Sequence, residues 1–374
     1  MPGELAVDES LSTSSDVINS GDSDSGVLAA VFHDARRGIE FCRFPRPEVQ
    51  VGETLVRIHC CTLCGSDLHT ISGRRTERSP SILGHEILGV VEDVSDAPVL
   101  DLQGNAIRRG DRVTWAICVS CRECDRCQAG LPQKCRELRK YGHALAEGRF
   151  ALSGGLAEAV LLRSNTAIIK VPVGLPDLVA CPANCATATV MAAFNAIGSV
   201  EGKRVLLLGA GLLGLTAAAV AQTRGAAAIT ASDPLTERVR LAEKFGAGGK
   251  IDCSEFDVVM DFSGSVDAIE AALKVAGVGA KIVLVGAVMK CDDIRLNPEQ
   301  VIRKCWQIFG IHNYAPADLM DAICFLRDHH HTYPFADLVS EEFPLQEIDK
   351  AIRYADAKRP IRVAVRPETC DERN

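Results

Sequence analysis

The sequence predicts an α/β protein of two domains, an irregular β-rich domain followed by a doubly wound parallel sheet. Three observations predict it. Residues 27–184 carry short β-branched runs such as ETLVRIHCC, ILGVVEDV, DRVTWAICV and TAIIKVP, separated by Gly, Pro and charged turns. From Cys185 the pattern changes to strands alternating with helices, which builds βαβ units on a parallel sheet. The 374 residues exceed one ordinary core and suffice for two.

The order along the chain follows from local pattern. Residues 1–26 hold six acids and no Lys or Arg, are rich in Ser, Asp and Gly, and read as a disordered acidic tail. They lack the basic start and apolar centre of a secretory signal. Residues 27–184 form the β-rich domain. Residues 185–314 form the parallel-sheet domain: the helix ATATVMAAFNAI, the strand–turn–helix KRVLLLGAGLLGLTAAAVAQTRGA, the strand AAITASD, the helix PLTERVRLAEKFGA, the strand DVVMDFSG, the helix SVDAIEAALKVA and the strand AKIVLVGAV. Residues 315–374 read as two helices and a final strand, PIRVAVRP, returning to the first domain.

Composition excludes several function classes. Of the net charge of −8, the tail holds most, so the body is nearly neutral and offers no electrostatic footprint for nucleic acid. No apolar run approaches the roughly 20 residues of a membrane span. Sixteen cysteines without an export signal point to a reducing, cytoplasmic setting with metal-bound or free thiols.

Two metal sites and a dinucleotide fingerprint carry the chemistry. Cys121, Cys124, Cys127 and Cys135 read C-x2-C-x2-C-x7-C, a spacing that closes a tetrahedral shell around one structural Zn2+. Cys64, His85 and Cys185 lie far apart in sequence. Two thiolates and one imidazole leave a fourth position open, the pattern of a catalytic zinc. Gly209-Ala210-Gly211-Leu212-Leu213-Gly214 is GxGxxG between an apolar strand and a helix. Gly209 permits the turn, Gly211 admits a pyrophosphate, and Gly214 allows close packing. Asp233 ends the next strand, where an acid accepts hydrogen bonds from the adenosine ribose and repels a 2′-phosphate, favouring NAD. Arg238 lies close enough to keep NADP open.

Together CGSDLH at 64–69, GHE at 84–86, the cysteine lobe, PANCATAT at 182–189 and GxGxxG resemble the zinc-dependent medium-chain dehydrogenase/reductase family, that of alcohol, sorbitol and threonine dehydrogenases. The resemblance covers nearly everything after Val27. It implies a GroES-like catalytic domain and a Rossmann domain, with two zinc ions per chain. It implies hydride transfer between an alcohol or aldehyde and NAD. It casts Cys64, His85 and Cys185 as ligands of the catalytic zinc, Ser66 as the hydroxyl on the reacting oxygen, and His69 as the proton relay. Asp67 becomes the acid that fixes the ligand imidazole, Glu86 an acid that approaches the zinc, and Arg362 a contact to the cofactor phosphates. Polyol-type members carry Glu where Cys181 stands, which leaves Cys181 as the alternative third ligand.

Substrate is less defined. Arg74 and Arg75, with Arg78 behind, sit in a loop that in this family passes over the substrate pocket. Guanidinium forks there fit phosphate or phosphonate oxygens, and a solvated surface loop explains them equally. CGSDLHTISGRR, LGHEILG and ANCATATV resemble a branch associated with phosphonate catabolism, which implies a small anionic alcohol. The rival expectations are a neutral polyol or amino alcohol such as threonine, and a non-catalytic cofactor-binding protein. His329–His331 read as a solvated helix end, Trp306 as packing or interface, Cys60, Cys61 and Cys118 as non-ligands. Tyr141 and His143 follow the lobe, and the sequence does not decide whether they reach the cleft. The resemblance implies a homodimer or homotetramer built on cofactor-domain edges, and hydropathy and charge predict no membrane or nucleic-acid partner.

Overall fold

The computed structural model describes residues 26–248 and 255–367. The expected acidic tail lies outside the described residues, apart from Gly26.

The first domain is organised on the strand Thr54–Thr62. Its nine residues are buried on both faces except Arg57 and His59, which fits its β-branched and apolar composition. It pairs antiparallel with Glu86–Val94, Ala159–Leu162 and Arg362–Arg366. The last pairing brings the chain's final strand into the first domain's sheet. A smaller sheet, Gly38–Phe44, Val27–Asp34 and Ser81–Ile82, packs over the same core as Trp115, Leu55, Ile58 and Ile87.

The second domain holds five parallel strands in the order Ala228–Ser232, Arg204–Leu208, Phe256–Asp261, Ala276–Leu284, Gln307–Gly310. VLLL at 205–208 is a continuous buried apolar run, as a strand covered by helices on both sheet faces requires. The order reverses beside Arg204–Leu208. A crevice opens outside the carboxyl ends at such a switch point. Two details depart from the sequence reading. The strand expected at AKIVLVGAV begins earlier, at Ala276, directly after the helix Val266–Val275. Gln307–Gly310 adds a fifth strand that its short, half-exposed residues do not announce. Trp306 before it is packed, its Nε1 donating to Gly277 O at 2.8 Å.

The helix Ala186–Ile197 is buried along most of its length, because it sits between the sheet domains and under the helix Pro316–His329. Among the described residues no single helix is long and apolar enough to cross a membrane. The apolar pair Asp177–Asn184 and Ala186–Ile197 is bent by 55° and its residues belong to the core. All fourteen described cysteines are unpaired.

Candidate active site

Cys64 is the residue before a seven-residue helix, Gly65–Ile71. Asp67, fully buried in that helix, gathers three groups. One oxygen accepts from Cys64 N at 2.9 Å, and the other from Gly84 N at 3.3 Å while standing 3.3 Å from His85 Nδ1. That contact leaves His85 Nε2 for a ligand. Gly84 has φ +84°, and a Cβ on it would lie 2.6 Å from Cys61 Sγ, so only glycine delivers His85 here.

Cys185 precedes the helix Ala186–Ile197. Its place is fixed by Asn184, whose amide donates to His85 O and Trp115 O, both at 3.0 Å. Tyr314 in turn donates to Asn184 O. The ligand atoms of Cys64, His85, Glu86 and Cys185 all lie within 4.8 Å of one another. Two sulfurs, an imidazole and a carboxylate suit zinc. Cys181 is not in this group. Its thiol points to Cys60 O and Glu86 O, both at 3.3 Å, inside the core. The structure therefore groups Cys185, and not the alternative, with Cys64 and His85.

Charge is balanced within the cluster. Glu86 is fully buried and takes a bidentate Arg362 guanidinium, at 2.8 Å for each contact, plus the Thr62 hydroxyl at 2.6 Å. Arg362 Nη2 also lies 3.6 Å from Cys64 Sγ. The Cys64 thiol is pulled well down by the hydrogen bond from Cys185, with help from Arg362 and His85. Burial opposes charging His85, but Asp67 and Cys64 outweigh it and lift its pKa to about 10. Arg362, expected on the cofactor phosphates, lines the cavities on both sides of the cleft, and its guanidinium also binds Glu86. Register explains it. Ala364 pairs with Thr62 and Thr62 with Glu86, so Arg362, two residues earlier on the same face, meets Glu86. A buried carboxylate without that partner would be costly.

The lobe lies between the paired strands Cys118–Val119 and Arg139–Lys140. The four sulfurs are separated by 3.4, 3.5, 3.9 and 3.9 Å along four contacts. A tetrahedron with metal–sulfur bonds of about 2.3 Å has edges of about 3.8 Å. Backbone N–H groups of Cys121 and Glu137 point at Cys135 Sγ at 3.2 and 3.3 Å. Cys118 is not among the clustered thiols. His329–His331 end a helix and join no metal cluster among the described residues.

The glycine turn stands across the cleft. Gly209 has φ +91°, a Cβ on Gly214 would lie 1.9 Å from Gly209 O, and a Cβ on Gly211 would meet nothing within 4 Å. The space over Gly211 and the N-terminus of the helix Leu212–Thr223 fits a dinucleotide pyrophosphate. Asp233 accepts from Ala210 N at 2.8 Å and Leu235 N at 2.9 Å, which ties the ribose-binding acid to the turn.

A cavity of about 330 Å³ joins the halves and is lined by Cys64, Ser66, His69, His85, Cys185, Gly211 and Leu213. His69 Nδ1 is buried without a hydrogen-bond partner among the described residues. The far wall holds Arg75, Lys140 and His143. His143 stacks on His85 at 4.9 Å, and burial pushes its pKa down to about 4 despite Glu77 Oε1 at 3.2 Å. Glu77 also pairs with Arg75. Lys140 has no carboxylate within ion-pair distance among the described residues. The expected arginine pair is split. Arg75 faces this cavity, whereas Arg74 lines a separate one beside Gly211. Gly73, at φ +75°, turns the chain just before them, and Arg75 N bonds back to His69 O at 3.0 Å.

Residues 50–173 match the family described as the alcohol dehydrogenase GroES-like domain, and residues 213–328 match zinc-binding dehydrogenase. L-threonine 3-dehydrogenase of Streptomyces avermitilis is 32% identical over 281 residues, covering 69% of this chain and 76% of that protein. The chain belongs to the zinc-binding medium-chain alcohol dehydrogenase family. Its members' fold recurs in an alcohol dehydrogenase from Thermotoga maritima at TM-score 0.85 and 24% identity, covering 91% of this chain and 99% of that one. It recurs also in a zinc-binding dehydrogenase from Sinorhizobium meliloti bound to NADP, at TM-score 0.79 and 24% identity, covering 92% and 100%. As a member, this chain is a dehydrogenase that uses zinc and a nicotinamide dinucleotide on small alcohols.

Sequence reasoning missed Asn184, Tyr314 and Lys140. Asn184 stands inside PANCATAT, where an amide next to a ligand cysteine was the available signal. Tyr314 and Lys140 carried none, since their roles come from distant pairing.

Proposed function

We propose that this chain is an NAD-dependent alcohol dehydrogenase whose substrate is a small alcohol bearing an anionic group, such as a phosphonate or phosphate. The observation that carries the reading is Lys140, a cation on the cleft wall beside Arg75 and His143 that makes no ion pair among the described residues and feels Glu77 at longer range. An anion there gains a charge-assisted contact. Asp233 supports NAD over NADP.

When bound, zinc supplies a Lewis acid and NAD accepts the hydride. The chain's own residues handle the proton. Cys64, His85 and Cys185 hold the metal, and Asp67 orients His85. Ser66 Oγ takes the hydroxyl proton of the alcohol, and His69, which lines the cavities on both sides, passes it outward. The balance is alcohol plus NAD+ giving carbonyl, NADH and one proton.

A second reading has support of its own. The same cation suits the carboxylate of an amino-acid alcohol, and several relatives are L-threonine 3-dehydrogenases. The deciding experiment is NADH formation by zinc-loaded protein. The panel holds hydroxyalkyl phosphonates, phosphates, L-threonine and neutral alcohols of matched skeleton. Preference for phosphonates or phosphates supports the first reading, and preference for threonine the second. Equal turnover of the neutral alcohols overturns both. Lys140→Met should raise KM for the preferred anion by about tenfold or more.

We also read a cytoplasmic homodimer or homotetramer. The strand Gln307–Gly310 is a sheet edge with Ile308 exposed, and Val278 and Ile302 are exposed on the strand and helix before it, a surface that a second copy would cover. Sedimentation as a monomer would remove that reading.

A further inference from the structure

The segment between the strand Gln307–Gly310 and the helix Pro316–His329 runs from the second domain's sheet edge to the cleft, where His312 is part of the lining. The first domain holds this segment at two points. Tyr314 Oη accepts from Ile117 N at 3.2 Å and donates to Asn184 O. Lys134 Nζ, from the cysteine lobe, lies against His312 Nδ1. Between them Asn313 turns the chain at φ 58°, a left-handed conformation that asparagine tolerates better than most residues.

The Lys134 contact fixes the chemistry of the ring. An ammonium has three N–H donors and no acceptor, so Nδ1 is the acceptor. The ring proton then sits on Nε2. The ring is neutral, since an imidazolium would set two cations against each other. Partial burial and the charges of Lys134, Lys140 and Arg75 act in the same direction and push the His312 pKa down to about 4. The surroundings are basic. Arg75, Lys140 and His143 line the same cavity, and Glu77 beside them pairs with Arg75 and His143. Lys140 and His312 make no ion pair among the described residues. The cavity therefore holds two N–H donors of different kind, an ammonium from the first domain and a neutral imidazole from the second.

We propose that His312 is a specificity-determining residue whose Nε2–H donates to the anionic group of the substrate alongside Lys140, and that Lys134 is the positioning residue that fixes its tautomer. The inference rests on the anionic-substrate reading and adds to it a donor that only the second domain supplies. The chemistry is that of an oxyanion receiving one charged and one neutral N–H. A phosphonate, a phosphate and a carboxylate all provide such an oxyanion.

The test measures kcat/KM of zinc-loaded protein for an anionic alcohol and for a neutral alcohol of matched skeleton, and follows their ratio. His312→Ala should lower the ratio by about tenfold, the loss of one hydrogen bond to a charged group. His312→Gln, which restores an N–H donor, should recover most of it. Lys134→Met should lower the ratio less, by about threefold, because the ring is then free to change tautomer. Protein carrying nitrogen-labelled histidine reads the tautomer directly. Long-range proton–nitrogen spectra should show Nε2 protonated and Nδ1 bare in the parent, and both tautomers in Lys134→Met. A packing role would lower both kcat/KM values together and leave the ratio unchanged. Phosphonate, phosphate and L-threonine arms name the oxyanion, by whichever ratio falls furthest. An unchanged ratio in His312→Ala, with Lys140→Met still lowering it, overturns the inference and leaves the anionic-substrate reading standing. A parent ratio near one for every anion ends that reading, and the inference with it.

Discussion

The two sulfur-rich clusters are built in opposite ways. In the lobe, all four ligands come from residues 121–135, with little buried apolar surface around them. In the cleft, Cys64, His85 and Cys185 come from three distant segments and are fixed by buried groups, Asp67, Asn184, Glu86 and Arg362. The lobe has almost no core of its own, so a metal must supply its folding energy. The cleft borrows the core of two domains, so its ligands stand in place through the fold. Loss of metal should therefore cost the lobe its structure and the cleft only its chemistry.

The largest expected effect breaks the cleft half. Cys185→Ser should bring NADH formation to background and cut zinc content from two per chain to one. The melting temperature should change little, because the helix Ala186–Ile197 and the Asn184 contacts remain. Retained turnover and two zinc ions would show that Cys181 or another group replaces it, and would end the assignment of Cys185.

The next effect is smaller because it acts through orientation. Asp67→Asn keeps the shape but loses the charge that aligns His85 and anchors Cys64 N. Removing such an outer partner costs roughly 10–100-fold in metal affinity or activity. Zinc titration against a competing chelator reads this directly. A variant with parental zinc affinity and parental activity would show that backbone packing alone holds His85.

What the sequence disclosed follows the same division. The lobe was legible because its information is local: four cysteines at close spacing can surround one ion. The glycine turn was legible because strand, turn and helix are contiguous. The cleft required resemblance to a family, since no spacing rule joins Cys64 to Cys185. Illegible features depend on sheet register and loop direction. Arg362 meets Glu86 because two antiparallel pairings share Thr62, and Arg362 itself gives no hint of that. Arg74 and Arg75 are neighbours in sequence and face different cavities, because the turn at Gly73 separates them. The strand Gln307–Gly310 owes its conformation to pairing with Ala276–Leu284 and not to its own composition.

The smallest effect on turnover sharpens the other half of the comparison. Cys127→Ala removes one of four lobe ligands, so zinc content should again fall to one per chain. Here the remaining ion should be the catalytic one, and turnover should stay far above that of Cys185→Ser. The loss should appear as local melting. Between Cys118 and Lys140, the segments 125–128 and 132–134 are short and contain no buried residue. Proteolysis should cut there first, while the sheet on Thr54–Thr62 stays protected. The lobe does touch the second domain, through Lys134 and His312, and His312 lines the cleft. A modest rise in KM would travel by that contact. If turnover instead collapses with the catalytic zinc still bound, the lobe is part of the active site's support and the separation of the two clusters fails.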